Sequence, residues 1–343
     1  MQRRKIYFYL TLVLITHVAL FVFKNNTQFV KEIDSLQQEN FTAYVDSLRS
    51  GSFPEGLNFI DTRLFPGLPF SIFTVDLIIN NSYASALLVL LLSLILIYLS
   101  CVYLTKNPFF SFWITIFPPI VYEQTSKIST ESLLISLSLF SLVLISKGKY
   151  YLVSLILSFA SIVRLIALFI FLGFTFYLFR IGQKNNIYKY SLVFLIFPLL
   201  LLTFNLVFFN EGILYQIKAN SAIGNVNIGV LQVFKDIWEE FTKRNFRELF
   251  VGLFYVTFSL FIYIKTIFHK GDFMFKNDRS LILMTVTGMM FFVYLAGPSE
   301  FLTQVRRFLS VIFPLVFVAN YKNLVSRRKL LGFSLLTLPL AFI

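Results

Sequence analysis

The chain has 343 residues; 57% of them are hydrophobic, only 14% are charged, and the formal net charge is +13. A soluble domain carries about 25% charged residues, so a water-soluble core could not bury this much apolar surface, and lipid is the expected solvent. One cysteine excludes an intramolecular disulfide, and two histidines in separate segments argue against a histidine metal centre. We therefore expect no cofactor and no thiolate or histidine metal centre, whereas the role of a divalent metal is left open.

The first hydrophobic run predicts a membrane anchor. It extends from Ile6 to Phe23, directly after the basic sequence Met-Gln-Arg-Arg-Lys. The run is longer than the apolar part of a signal peptide and lacks a small-residue cleavage site, so we expect it to be retained. The positive-inside rule then places the N-terminus in the cytoplasm.

Ten further apolar runs predict an all-α, polytopic membrane helical bundle of about eleven spans. The runs cover 83–104, 109–122, 131–146, 150–163, 165–179, 190–209, 248–268, 280–297, 308–320 and 331–343. Several are shorter than the roughly 20 residues that a perpendicular helix needs to cross a bilayer. The runs 150–163 and 165–179 form either a hairpin at Arg164 or one long tilted helix. The single helix would reverse the membrane orientation of every later span and loop.

The distribution of charge favours the hairpin. With it, 17 of the 30 basic residues but only two of the 17 acids fall on the cytoplasmic side, as the positive-inside rule requires. With one long helix, the basic loops 180–189 and 322–329 would face opposite sides. The basicity is therefore an orientation signal, and no nucleic-acid partner is expected.

Two long loops, 24–82 and 210–247, are expected on the extracytoplasmic side as a cap on a single membrane domain that covers 1–343. In the first loop, apolar residues recur at helical spacing from Phe29 to Leu48. This pattern predicts an amphipathic helix at the membrane surface.

Three carboxylates share the polar face of that helix. Glu32, Glu39 and Asp46 are spaced by seven residues, which separates neighbours by about 10 Å along the axis. At that distance no two of them can share a proton, so at most one is a chemical group. The alternative is a solvated acidic face.

The first loop also carries the pattern Tyr44-x6-Gly51 followed by Arg63-Leu-Phe-Pro-Gly-Leu-Pro. This pattern resembles the first outer loop of the GT-C superfamily, multispan glycosyltransferases that use polyprenyl-phosphate sugars; the mannosyltransferases are the most similar in character. Three later segments resemble the same superfamily in the same order. They are Phe117-Pro-Pro-x-x-Tyr122 with Ser129-Thr130-Glu131, then Ala160-Ser-Ile-Val-Arg164, and finally Arg306-Arg307-Phe-Leu with Phe313-Pro314.

The resemblance implies that a hexose moves, with inversion, from a polyprenyl-phosphate donor to an extracytoplasmic glycan or protein acceptor. Such enzymes place an aspartate about four residues before the loop tyrosine as general base, and here Asn40 stands at that position. We therefore assign the base to the neighbouring Glu39, with Asp46 and Asp61 as reserves. A divalent metal is not indicated, because the carboxylates are scattered.

Four arginines are candidates for the donor phosphate, because a guanidinium can bind two phosphate oxygens at once. Arg306 and Arg307 come first, followed by Arg164 and Arg63. Arg164 interrupts about thirty apolar residues, where an ionisable group is costly. Its alternative role is a turn residue whose side chain snorkels to the membrane interface.

Residues of the first loop and of the short second outer turn are candidates for lining the acceptor site. They are Asn40 and Tyr44 in the first loop, and Tyr122 and Glu123 at the second turn. Glu131 is expected first to meet the positive end of its helix dipole, with acceptor binding as its alternative role.

Two other classes of protein would share the lipid-linked substrate and the membrane. A transporter or flippase would favour repeated halves and broken polar spans, and a polysaccharide polymerase or ligase would favour a large catalytic loop late in the chain. The absence of an internal repeat and the early position of the distinctive loop favour the transferase.

Overall fold

The computed structural model describes residues 2–26, 31–54, 64–116, 118–213, 215–216, 238, 241–243, 257, 264, 281–282, 284–288, 301–319 and 321. Within this part of the chain the secondary structure is helical and contains no strand. The all-α prediction is confirmed to that extent. The predicted runs 248–268 and 331–343, and most of 280–297, lie outside the described residues.

Twelve α-helices are described here, numbered in chain order. They are α1 Gln2–Asn26, α2 Lys31–Ser50, α3 Gly67–Ile79, α4 Ser82–Thr105, α5 Pro108–Ile116, α6 Pro119–Thr125, α7 Thr130–Ser146, α8 Tyr150–Val163, α9 Ala167–Arg180, α10 Ile187–Phe194, α11 Ile196–Phe209 and α12 Phe301–Ala319. A 3-10 turn, Lys184–Asn186, precedes α10.

Two of the described helical stretches are long and apolar enough to cross a membrane by length and composition. They are Ser82–Thr105, with 24 residues, and Lys184–Phe209, with 26 residues and two helical breaks. Five shorter apolar helices accompany them. These features support membrane association, whereas the count of about eleven spans stays a prediction.

Helices α4 and α7 form the centre of the bundle and run parallel. Their C-terminal ends meet at the Tyr103 ring, whose centroid lies 4.0 Å from the Lys106 ammonium and 4.7 Å from the Lys147 ammonium. The chain then reverses at Gly148, with φ of +68°, where glycine avoids the steric cost of the left-handed region. Helix α8 returns along α7 from this turn.

The predicted hairpin at Arg164 is confirmed, and the single long helix is wrong. Arg164 ends α8 with extended backbone angles, φ −154° and ψ 134°. Helix α9 begins at Ala167 and packs back against α8.

Two predicted runs are divided by proline. The run 109–122 is split between α5 and α6, because Pro118 and Pro119 lack the amide hydrogens that a continuous helix needs. The run 190–209 is split between α10 and α11 at Leu195. Pro198 cannot donate to the Phe194 carbonyl, and the Ser158 hydroxyl of α8 donates to it instead.

Helix α2 confirms the predicted helix in the first loop and ends before Gly51, as expected. Its position at the membrane surface stays a prediction. Its apolar face is buried: Phe41, Tyr44 and Val45 are at most 5% exposed. Beyond its end, the Phe53 ring lies 5.1 Å from the Tyr44 ring and 5.0 Å from the Phe208 ring of α11. The start of the second loop thus lies beside the first.

Helix α3 begins in close contact with the end of α8. A Cβ atom added to Gly67 would lie 2.6 Å from the Val163 backbone nitrogen. That contact leaves no space for a side chain, because backbone atoms cannot rotate away.

We expect Gly67→Ala to lower the melting temperature of the detergent-purified protein, since overpacking costs about 1–3 kcal/mol. The matched control is Gly212→Ala, because a Cβ atom there meets nothing within 4 Å. Equal melting temperatures for the two variants would contradict the close contact between α3 and α8.

Candidate functional site

Glu131 is a fully buried carboxylate in the first turn of α7, with 0% exposure. The expected role at the helix end is only partly right. Ser129 is the N-cap residue, and its hydroxyl accepts a hydrogen bond from the Ser132 amide. The Glu131 carboxylate is therefore available for other partners, and the Thr130 hydroxyl donates to its Oε2 at 3.0 Å.

Two arginines from distant parts of the chain converge on the other oxygen of Glu131. Arg164, between α8 and α9, donates to Oε1 through Nη1. Arg307, in α12, donates to the same oxygen through Nε at 2.5 Å. Their side chains are 17% and 24% exposed. The structure thus brings together three residues that the sequence analysis placed in separate motifs.

The cluster of Glu131, Arg164 and Arg307 carries one negative and two positive charges. The N-terminal end of α7 adds partial positive charge at the same place. Two guanidinium groups are thus held within hydrogen-bonding distance of one carboxylate oxygen, and both arginines have further interactions besides these.

Along the axis of the bundle, the arginine cluster lies level with the first turn of α7, and the start of α4 extends beyond it. Helices α4 and α7 have 24 and 17 residues and share their C-terminal level at Tyr103. At 1.5 Å per residue, α4 extends about 10 Å beyond the first turn of α7. The arginine cluster therefore lies within the length of α4 and not at the level of its end.

An apolar groove of about 450 Å³ runs along α3 and reaches the residues next to the cluster. Pro66, Phe70 and Val75 form one wall, and α8 and α11 contribute Ile162 and Leu201 to the other. Ile162 precedes Arg164 by two residues. The groove could take a hydrocarbon chain whose polar end lies near the arginines.

A second charged cluster, which the sequence analysis missed, joins α2 to α3. Asp76 is buried, and its carboxylate accepts hydrogen bonds from Arg49 at 3.4 Å and from Ser85 at 3.2 Å. Arg49 also pairs with Asp46 at 3.1 Å. The signal was the single acid within the apolar helix Gly67–Ile79, a position where an ionisable group needs a partner.

This second cluster gives Asp46 a structural partner. Its side chain is 47% exposed and pairs with Arg49 one turn later in the same helix. Three residues, Glu39, Asp46 and Asp61, are proposed as the base. Of these, Asp46 has a contact within the described part of the chain, and this contact is an ion pair at the protein surface. It lies in α2 and is not one of the residues that meet at Glu131.

The remaining predicted site residues fall into two groups. Tyr44 is buried in the α2 contact, and burial raises the pKa of its phenol above the ordinary value. The Tyr122 ring of α6 lies 5.8 Å from the His17 ring of α1, measured between centroids. Asn40, one turn before Tyr44, is half-buried.

The side chains of five predicted site residues lie outside the part of the chain that the structure describes. Asp61 and Arg63 lie outside the described residues. Glu39, Glu123 and Arg306 lie in α2, α6 and α12, but their side chains are outside the described part. Across the described residues, no three His, Cys, Asp or Glu side chains are grouped so that they could hold a metal ion.

Comparisons of the chain with protein-family models, with curated proteins and with solved structures found no match.

We expect Glu131→Gln to destabilise the protein by about 3–5 kcal/mol, because removing one partner from a buried charge cluster leaves the others uncompensated. Thermal or denaturant unfolding in detergent measures the effect. A double variant with Arg307→Gln should lose less than the sum of the two single variants. Additive losses would contradict a direct interaction between the two side chains.

The second cluster predicts an asymmetry between its two partners. Arg49→Gln should destabilise more than Asp76→Asn, because the first leaves a buried carboxylate without its cation, whereas the second leaves a 42% exposed guanidinium in contact with water. Asp46→Asn is the control, since an exposed ion pair contributes at most about 1 kcal/mol. The reverse order of the first two variants would argue against burial of the Asp76 charge.

Proposed function

We propose that this protein is an integral-membrane hexosyltransferase of the GT-C type, which moves a mannose-like sugar from a polyprenyl-phosphate donor to a glycan or protein acceptor. The observation that carries the proposal is the convergence of Arg164 and Arg307 on the buried Glu131. That arrangement holds two guanidinium groups side by side, and a guanidinium group can bind two phosphate oxygens at once.

The charges of the reaction fit such a cluster. In the donor, the phosphate is a diester with one negative charge. As the bond between the sugar C1 and the phosphate oxygen breaks, the leaving lipid phosphate gains a second negative charge. Arg164 and Arg307 would stabilise this developing charge, which is the part of the reaction that fixed cations accelerate most.

The apolar groove along α3 is the proposed binding site for the polyprenyl chain of the donor. The groove along α3 is apolar and reaches Ile162, close in the chain to Arg164. A polyprenyl chain in this groove would bring its phosphate towards the two guanidinium groups. Burial of the hydrocarbon chain supplies binding free energy roughly in proportion to the apolar area covered.

The acceptor hydroxyl needs a base on the same side. We assign this role to Glu39 of the first loop, with Asp61 and Asp46 as the reserves. The base removes the hydroxyl proton while the oxygen attacks C1 from the face opposite the phosphate, which inverts the anomeric centre. The proposed topology places this site on the extracytoplasmic side and the N-terminus in the cytoplasm.

The decisive experiment incubates purified protein in lipid with labelled polyprenyl-phosphate mannose, glucose and arabinose. Formation of a new glycosidic bond supports the transferase. Movement of the labelled lipid between leaflets without a new bond would instead identify a transporter. A polymerase would extend a glycan that is already lipid-linked.

We expect Arg307→Gln and Arg164→Gln each to lower sugar transfer by about 10- to 100-fold, because a hydrogen bond to a charged group contributes about 1.5–3 kcal/mol. Arg307→Lys should recover only part of the rate, since lysine keeps the charge but loses the fork. Arg180→Gln is the control, because Arg180 is exposed at the far end of α9.

Glu39→Gln should abolish transfer while donor binding persists, because the amide cannot accept the hydroxyl proton. Transfer that continues in Glu39→Gln and stops in Asp61→Asn would move the base to Asp61. Full activity in both variants would reject a base from the first loop.

A further inference from the structure

The end of the bundle opposite the arginine cluster is a cationic surface, here called the basic end. Its cations are Arg3, Arg4, Lys5, Lys106, Lys147, Lys149, Arg180, Lys184 and Lys189. All nine are exposed. The described segments that meet there, 2–10, 97–112, 143–156 and 174–192, contain no aspartate or glutamate.

Specific contacts hold these segments at one level. The Tyr98 hydroxyl of α4 donates to the Ile6 carbonyl of α1 at 3.0 Å. The Tyr190 ring of α10 lies 5.9 Å from the Tyr150 ring, just after the turn between α7 and α8. The cations therefore lie at the same end of the bundle, although they come from three α-helices, the 3-10 turn and two turns between helices.

Exposed tyrosines accompany the cations. Tyr7, Tyr103, Tyr151 and Tyr188 are between 37% and 66% exposed. Tyrosine is enriched at the level of lipid headgroups, where its ring meets hydrocarbon and its hydroxyl meets water. The basic end therefore has the composition of a surface that lies among headgroups.

One place on this surface has a defined geometry. Lys106 and Lys147 lie against the same Tyr103 ring, at 4.0 Å and 4.7 Å from its centroid. The dipoles of α4 and α7 favour a cation at each C-terminus, but two ammonium groups at one ring repel each other. An anion between them would relieve that repulsion.

We propose that Lys106, Lys147 and Tyr103 bind the phosphate headgroup of an anionic phospholipid. The phosphate would accept hydrogen bonds from both ammonium groups, and the tyrosine ring would lie against the upper part of the acyl chains. The partner is a lipid because the site sits among exposed tyrosines at one end of an apolar bundle. This inference depends on the membrane setting of the proposed function and not on sugar transfer.

The test places purified protein in nanodiscs of equal parts phosphatidylglycerol and phosphatidylcholine. Native mass spectrometry then counts the lipids that remain bound after release. The wild-type protein should retain phosphatidylglycerol preferentially. Lys106→Gln with Lys147→Gln should lower that preference by about thirty-fold, because a hydrogen bond to a charged group contributes about 1.5–3 kcal/mol and thirty-fold corresponds to about 2 kcal/mol.

The matched control is Lys184→Gln with Lys189→Gln. It removes the same charge from the same end, but these two lysines lie against separate rings, those of Phe179 and Tyr188. The control should keep most of the preference, and Tyr103→Leu should lower it. Melting temperatures close to the wild-type value are expected for all of these variants, because the substituted side chains are exposed.

Equal losses in the two double variants would overturn the proposal, because diffuse charge would then explain retention. The absence of any preference in the wild-type protein would overturn it as well. Binding of an RNA oligonucleotide that depends on Lys106 and Lys147 would show that the surface serves nucleic acid instead. Preferential lipid retention without sugar transfer would reject the transferase and leave the headgroup site intact.

Discussion

The buried carboxylate of Glu131 is the constraint on which the candidate site depends. It lies at the start of α7, and a charge in such a place is tolerated only with partners. Arg164 and Arg307 provide them from segments 33 and 176 residues away. The carboxylate therefore fixes where the turn between α8 and α9 and the helix α12 meet. It also holds two guanidinium groups together that would otherwise repel each other.

The two ends of the bundle differ in whether their charged side chains form ion pairs. At the arginine cluster and at the pair Arg49–Asp76, cations and carboxylates are paired, and the acids are buried. At the basic end, nine exposed cations have no carboxylate in the described segments that meet there. Guanidinium groups held in place by a buried carboxylate suit the binding of a substrate anion, whereas exposed cations with tyrosines suit a headgroup surface. We therefore assign a different partner to each end.

Short helices make this arrangement possible. Helices α7, α8 and α9 have 17, 14 and 14 residues, whereas α4 has 24. A helix that ends early exposes its terminal groups inside the bundle and not at its surface. Gly67 lets α3 approach the end of α8 closely at this level. The apolar groove lies along α3 on the side that faces α8 and α11.

The sequence by itself determined the helical class, most helix limits, the helix α2 in the first loop and the turn at Arg164, because apolar periodicity, glycine and charge placement act over a few residues. It also selected Glu131, Arg164 and Arg307 separately. Only the tertiary structure decided that both arginines donate to one carboxylate oxygen of Glu131 and that Arg49 is the partner of Asp76. Such pairs depend on which helix ends lie at the same level, and this follows from packing over distances in the chain that no local pattern encodes.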